Sequence, residues 1–211
     1  MAEYTFYTHP MSRGQIARWA LHEAGADYEA VIVDWEDKPA AFLAANPMGK
    51  VPTVIHHAPD GDQVVTECAA ICAYLALAHP DKGLLPRETE RAPYLRWMYF
   101  AAGPLETAIL AKQFGFEPQD ARQQVMAGFG SFERAVGTLE SHLQSHAYVC
   151  GDRFTMADVY VGSHVDWGLT FGSLPARDAF TAYAERCRAR EAYQAGKAID
   201  NALIAEMQSH D

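Results

Sequence analysis

Two short stretches of this sequence carry groups suited to gripping a small, acidic, peptide-like molecule. The first is Lys50-Val51-Pro52-Thr53. A proline that opens a strand removes one ladder donor and confines the preceding residue to an extended shape. Val51 then keeps its N–H and C=O for an incoming extended peptide, which would join as an added strand. An edge-strand proline with no ligand accounts for the same residues, and spacing alone favours that plainer reading. The second stretch is Glu67-Cys68. These residues open a predicted helix, where unpaired N–H groups and the positive end of the dipole attract a carboxylate. Glu67 can hold an ammonium group of the same ligand. The alternative makes Thr66 an N-cap and Glu67 an acid that merely complements the dipole. Cys68 also falls on an apolar stripe, where cysteine is an ordinary buried residue.

The elements that must position these residues can be read in order. Tyr4 to Thr8 is rich in β-formers and stops at His9-Pro10. Ser12 can cap a helix in which Ile16, Ala20 and Ala24 repeat every four residues, ending near Gly25. Tyr28 to Val33 predicts a second strand, and Pro39 to Ala45 a short helix. Pro52 to His57 and Gln63 to Thr66 predict two strands joined through Pro59-Asp60-Gly61. Glu67 to Ala78 predicts a helix with Cys68, Ile71, Cys72 and Leu75 on one face. A βαβ unit followed by a hairpin implies a mixed four-stranded sheet covered by helices. Residues 1–80 form this domain, residues 81–87 have linker chemistry, and residues 88–211 read as all-helical.

In that helical half, one helix from about Glu88 to Gly115 is predicted to bend at Gly103-Pro104, where proline cannot donate. A second comes after Pro118, with Phe132, Val136, Leu139 and Leu143 at helical spacing. A third begins at Thr155, whose Thr155-Met156-Ala157-Asp158 is a capping box with a folding role. A fourth near Pro175 carries Phe180, Tyr183, Ala184 and Cys187 on one stripe, and a fifth runs from Glu191 to Met207.

Bulk properties exclude whole classes of partner. A net charge of −10 argues against nucleic acid or an anionic membrane. No apolar run approaches the roughly 20 residues of a transmembrane helix, and the start lacks a signal-peptide pattern. The four cysteines, at 68, 72, 150 and 187, contain no Cys-x-x-Cys and suit a reducing cytoplasm. His142 and His146 are four apart on a helix, but no third metal ligand is evident and an exposed polar face explains them. His56-His57, beside a turn, reads as surface. No phosphate loop or hydrolase motif is present.

Together these residues resemble a cytosolic glutathione S-transferase, bacterial or theta-like, along nearly the whole chain. Phe6-Tyr7-Thr8-His9-Pro10-Met11-Ser12-Arg13, leading into Ile16-Ala17-Arg18-Trp19, is similar to the family's first strand and helix. Asn46-Pro47-Met48-Gly49-Lys50-Val51-Pro52-Thr53 resembles the family segment whose proline is cis. Glu67-Cys68-Ala69-Ala70-Ile71 matches another, with cysteine where serine is usual. Gly151 to Asp158 resembles the capping box and hydrophobic staple of the helical domain. The resemblance implies a thioredoxin-like first domain, an all-α second domain and glutathione as co-substrate, with no other cofactor and no metal. Val51 would pair with the cysteinyl backbone, Glu67 and Cys68 would bind the γ-glutamyl end, and Lys50 and Lys38 would face the glycine carboxylate. Cys68 is a departure, because a thiol is a weaker donor than a hydroxyl.

The implied chemistry is thiol activation. A free thiol has a pKa of about 8.5, so little is thiolate at neutral pH. A hydroxyl donating to the sulfur favours the thiolate, which then attacks an electrophile. Ser12 resembles the serine or cysteine of theta-, beta- and omega-like members. Tyr7 matches the tyrosine of alpha-, mu- and pi-like members, and the surrounding motif favours Ser12. The plainer role for Ser12 is a helix cap, and for Tyr7 a packed strand tyrosine. Thiol–disulfide chemistry is disfavoured, because disulfide-reducing members carry cysteine where Ser12 stands. An electrophile pocket is expected between the halves, with Met11, Tyr99, Phe100, Phe114 and Trp167 as candidate lining. The resemblance also implies a two-fold homodimer. A non-catalytic glutathione-binding protein and a glutathione-dependent isomerase or dehalogenase are the alternatives on the same fold.

Overall fold

The structure is a computed structural model that describes residues 2–209. Two compact units make up the chain, Met1–Leu85 with Ala189–Asp211, and Pro86–Arg188. No helix among the described residues is long and apolar enough to cross a membrane.

In the first unit, β1 (Tyr4–Thr8), β2 (Tyr28–Ile32), β3 (Thr53–Ala58) and β4 (Gly61–Thr66) form one sheet of order β2-β1-β3-β4. β1 runs parallel to β2 and antiparallel to β3, and β3 and β4 form a hairpin. This is the thioredoxin-like mixed sheet expected from the sequence. Side chains alternate across it. Tyr7 points to the face covered by α2 (Ala40–Ala45), where it clusters with Val33 and Phe42 against Val31, Val51 and Ile55. Tyr4, Phe6 and Val54 are fully buried. Helices α1 (Gly14–Ala24) and α3 (Cys68–Ala78) pack on each other, and the Arg18 guanidinium of α1 lies 5.3 Å from the Phe6 ring.

α1 starts two residues later than Ser12, and it ends as expected at Gly25, whose φ of 61° closes it in a left-handed cap. The predicted stripe of α3 is buried at Cys68, Ile71, Cys72 and Leu75. Its cap differs from the expectation. Thr66 is the last residue of β4, and Glu67 occupies the N-cap position without a capping side-chain bond. His56 is not a surface histidine, because it stacks on Tyr4 at 4.5 Å and bonds the Tyr74 hydroxyl at 2.7 Å. The last helix, α10 (Glu191–Gln208), packs on α1 within this unit. Arg18 and Asp200 join the two in a 2.9 Å ion pair, both side chains 1% exposed.

The second unit is helical, and among its described residues the only strand-like pairing is the bridge Tyr148–Gly151. The bend predicted at Gly103-Pro104 is a widened π turn, Ala101–Leu105, between α4 (Arg91–Phe100) and α5 (Glu106–Phe114). Beyond Pro118 the chain forms two helices rather than one, α6 (Ala121–Met126) and α7 (Phe132–Leu143). The break falls at Gly130, whose φ of 69° favours glycine, and Ser131 then caps α7. α8 (Met156–Phe171) and α9 (Asp178–Arg188) complete the unit.

The capping box that opens α8 is fully formed. The buried Asp158 carboxylate accepts from Thr155 N at 2.8 Å, Thr155 Oγ1 at 3.1 Å, Val149 N at 2.8 Å and Tyr183 OH at 2.9 Å. Burial outweighs these donors and lifts its pKa from 3.8 to about 6. A folded-state pKa above the unfolded one means that the native state holds the extra proton between those values. This group's contribution to stability is therefore complete at low pH and is lost as pH rises through about 6.

This packing generates two predictions. A Cβ on Gly14 would lie 2.0 Å from Thr8 Oγ1, so α1 can approach β1 only because residue 14 is glycine. Gly14→Ala should lose about 1–3 kcal/mol in urea unfolding, and Thr8→Ala in that background should recover most of the loss. Asp158→Asn should cost about 1–3 kcal/mol by turning an amide toward donors. The wild type's advantage over it should shrink between about pH 4 and about pH 7; a constant gap would contradict the raised carboxyl.

Candidate functional site

Strand register brings the predicted residues to one sheet edge. Tyr7 pairs with Thr53, and Thr53 pairs with Thr66. One step further along each strand, Thr8, Pro52 and Glu67 are neighbours. The chain enters or leaves the sheet there through four segments: the loop to α1, the stretch that follows β2, the turn before β3 and the start of α3.

The turn before β3 is built around Asn46, which is buried. Its amide donates to the Lys50 carbonyl at 2.9 Å and to Thr53 Oγ1 at 3.0 Å, and its carbonyl accepts from Met48 N at 3.1 Å. Thr53 Oγ1 also donates to the Lys50 carbonyl, at 3.2 Å. The Val51–Pro52 peptide bond is cis, as the resemblance implied. Val51 is half-buried and Pro52 buried, while Lys50 is exposed. Lys38 donates to the Gly49 carbonyl at 3.1 Å, so both lysines lie at this turn.

α3 begins at the same edge. Glu67 has φ 65° and ψ 120°, the one positive-φ residue besides glycine among those described. Such a conformation costs on the order of 1–3 kcal/mol and concentrates at ligand-binding positions. The Glu67 carbonyl accepts from Ile71 N at 2.9 Å, which starts the helix, and its side chain is exposed. No side chain caps this helix start, and the N-terminus of a helix is a place where backbone N–H groups and the dipole favour an anion. Cys68 is 8% exposed, and its thiol donates to the Arg13 carbonyl at 3.7 Å, which ties α3 to the loop that carries Ser12.

The two candidate hydroxyls sit in different surroundings. Ser12 Oγ is half-buried, donates to the His9 carbonyl at 2.6 Å and accepts from Gly14 N at 3.0 Å. Its oxygen is thus held beside the N-terminus of α1. Tyr7 is 7% exposed, and its ring packs on Phe42 at 5.3 Å within the α2-face cluster. The alternation of β1 therefore commits Tyr7 to packing, whereas Ser12 lies beyond the strand. Met11, next to Ser12, is 58% exposed.

The other apolar candidates belong to the second unit. Tyr99 is 71% and Phe114 61% exposed, whereas Phe100 packs edge-on against Trp97 and Trp167 against Phe171. A groove of about 720 Å³ in this unit is lined by polar residues of α4 and α7, among them Arg96, Arg134 and Ser141, and by none of these candidates. It also includes His142, which is half-buried: its ring lies against Trp97 at 4.4 Å with planes tilted by 38°, and it bonds the Val149 carbonyl at 3.0 Å. No group of three metal-ligating side chains exists among the described residues.

Sequence reasoning gave no separate role to Asn46, to the backbone of Glu67 or to Trp35, which lies on His9 at 4.5 Å. Asn46-Pro47 is a turn signal, and Trp35 is a lone large aromatic between acidic residues. Nothing in the sequence marks the conformation of Glu67.

Comparisons with known proteins give the family and agree with the fold. Residues 2–77 match the family model for the glutathione S-transferase N-terminal domain, and residues 119–167 that for its C-terminal domain. Glutathione S-transferase 3 of Zea mays is 31% identical over 172 residues, 75% of each chain. A probable maleylacetoacetate isomerase of Caenorhabditis elegans is 35% identical over 155 residues, 68% of each chain. Among solved structures, a sphingomonad glutathione S-transferase complexed with glutathione is 28% identical. The match has a TM-score of 0.73 and covers 93% of this chain and 98% of that one. The chain belongs to the glutathione S-transferase family.

Proposed function

We propose that this protein is a glutathione transferase that binds glutathione at the sheet edge and conjugates its thiolate to a small hydrophobic electrophile. The observation that carries this reading is the convergence of the Val51–Pro52 turn, the uncapped start of α3 and Ser12 on one edge. Val51 offers its backbone to the cysteinyl unit. The first-turn N–H groups of α3 take the γ-glutamyl carboxylate, and the Glu67 carboxylate takes its ammonium. Lys38 and Lys50 face the glycine carboxylate. Ser12 donates to the sulfur, which suits its placement beside a helix N-terminus better than Tyr7 suits its apolar cluster. The thiol proton leaves to solvent. With an activated aryl chloride, the sulfur forms a bond to carbon as chloride departs. Met11, next to Ser12 and 58% exposed, supplies apolar surface for such an electrophile.

The relative named as an isomerase supports a second reading, in which the thiolate adds to the substrate and is expelled again. Conjugation consumes glutathione stoichiometrically, whereas isomerisation returns it. The thiol state of the four cysteines fits a cytoplasmic protein. The edge strand β4, with Val64 47% and Leu77 on α3 65% exposed, suits burial in a two-fold homodimer.

Titrating the thiol of bound glutathione tests the activation. The wild type should hold it below the free value of about 8.5, Ser12→Ala should raise it by about one unit or more, and Tyr7→Phe should leave it unchanged. A rise only in Tyr7→Phe would reassign the role, and no rise in either would overturn it. Glu67→Gly should relieve the backbone and stabilise the apo protein by about 1 kcal/mol while weakening glutathione binding at least tenfold. Loss of stability on that substitution would show that the conformation is not strained.

A further inference from the structure

His9 stands between the end of β1 and the start of α1, and the chemistry proposed for the site gives it no task. His9 is buried, 6% exposed, and its Nδ1, its carbonyl and its ring face are each engaged. Nδ1 accepts from the Met11 N–H at 3.2 Å. The carbonyl accepts from the Ser12 hydroxyl at 2.6 Å. The ring lies against Trp35 with centroids 4.5 Å apart and planes tilted by 37°. Burial lowers the imidazole pKa and Asp34 only partly opposes it, which suits a neutral ring with its proton on Nε2.

These contacts form a chain that ends on the serine. Trp35 lies beyond β2 in the polar stretch Asp34 to Lys38 and is 47% exposed. It holds one face of the His9 ring, and the Met11 N–H holds its edge. With the ring fixed at both places, the His9 backbone has little freedom, and so its carbonyl has little. Ser12 Oγ is then clamped between that carbonyl and the Gly14 N–H, at 2.6 Å and 3.0 Å. A serine side chain ordinarily samples three rotamers, and this clamp selects one. Because a thiolate is a stronger acceptor than a neutral carbonyl, the hydroxyl hydrogen can swing to a bound sulfur by rotation about Cβ–Oγ. The oxygen itself need not move, since Gly14 N–H still holds it. A donor held in place before the charge develops is worth more than one that must reorganise.

Resting on the assignment of thiol activation to Ser12, we propose that His9 is a positioning residue: its ring, pinned by Met11 N–H and Trp35, fixes the carbonyl that holds the Ser12 hydroxyl. His9 does not touch the sulfur; it acts through Ser12.

Four variants and one readout, the pKa of glutathione's thiol in the binary complex, test this. His9→Phe keeps a ring against Trp35 but leaves the Met11 N–H without its acceptor. It should raise the thiol pKa by about one unit, about tenfold less thiolate at a pH below both values, with KM for glutathione within about twofold of wild type. His9→Asn offers an acceptor to the N–H two residues on and should hold the pKa within a few tenths of wild type. Trp35→Leu, at a half-exposed site, should shift the pKa in the same direction as His9→Phe, and it decides alone if His9→Phe does not fold. Ser12→Ala is the control. If Ser12→Ala raises the pKa while His9→Phe and Trp35→Leu leave it at the wild-type value, the positioning role is overturned and Ser12 stands. A rise in His9→Asn equal to that in His9→Phe overturns the acceptor role of Nδ1. If Ser12→Ala itself changes nothing, the activation by Ser12 falls, and the role of His9 with it.

Discussion

The site depends on strand register. Tyr7, Thr53 and Thr66 lie in one row across β1, β3 and β4, where β3 begins and β4 ends and which β1 outruns by one residue. Slipping any of these strands by one residue would turn its buried side chains to the other face. The row is therefore held by the same core that holds the fold: Phe6 and Val54 on one face, Tyr7 with Phe42 on the other. Four segments far apart in sequence meet at the edge because the sheet leaves them nowhere else to go.

Register alone does not fix the outer ends of those segments, and polar groups do that work locally. Asn46 uses both its amide and its carbonyl to hold the turn before Val51, and Thr53 adds a second bond to the Lys50 carbonyl. Cys68 ties the first turn of α3 to Arg13. On the far side of α1, Arg18 is bonded to Asp200 and to the Tyr28 hydroxyl, and its guanidinium lies near the Phe6 and Tyr28 rings. A buried ion pair offsets its desolvation only with good geometry and further partners. Here it lets α10 return from the end of the chain and seat α1, the helix whose start sets Ser12. Burial still pushes the Asp200 carboxyl upward, with Arg18 the main opposing charge.

Much of this is legible in the sequence. β1 and α3 fall within a residue of their expected limits, because each is an apolar pattern bounded by strong punctuation such as His9-Pro10 or His79-Pro80. The merging of α6 and α7 has a plain cause. Apolar spacing runs on through Val125 to Phe132, but the extended backbone of Ala127 and Ser131 and the left-handed one of Gly130 separate the two helices. The misplaced cap of α3 is of the same kind. Thr66 has the right side chain for an N-cap, but pairing with Thr53 claims it for the sheet, which forces Glu67 into a conformation that its side chain does not favour. His56 escapes a sequence reading because a polar residue beside a turn looks exposed until Tyr4 and Tyr74 are brought to it from elsewhere in the chain.

The site residues divide along the same line. Those proposed to offer backbone to a ligand, Val51 and the start of α3, are readable because proline and a helix start constrain backbone through local rules. Those that offer a side chain are ambiguous, since a hydroxyl in a strand and one before a helix look alike on paper. The structure separates them by surroundings: the Tyr7 ring completes an apolar cluster, whereas Ser12 Oγ is gripped by two backbone groups at the positive end of a helix. The activation proposed for Ser12 asks little chemistry of that end. A thiol near neutrality needs only a modest bias toward its thiolate, about the free energy of one charge-assisted hydrogen bond. A fold that spends its precision on holding one oxygen, rather than on assembling a multi-residue relay, is matched to that demand.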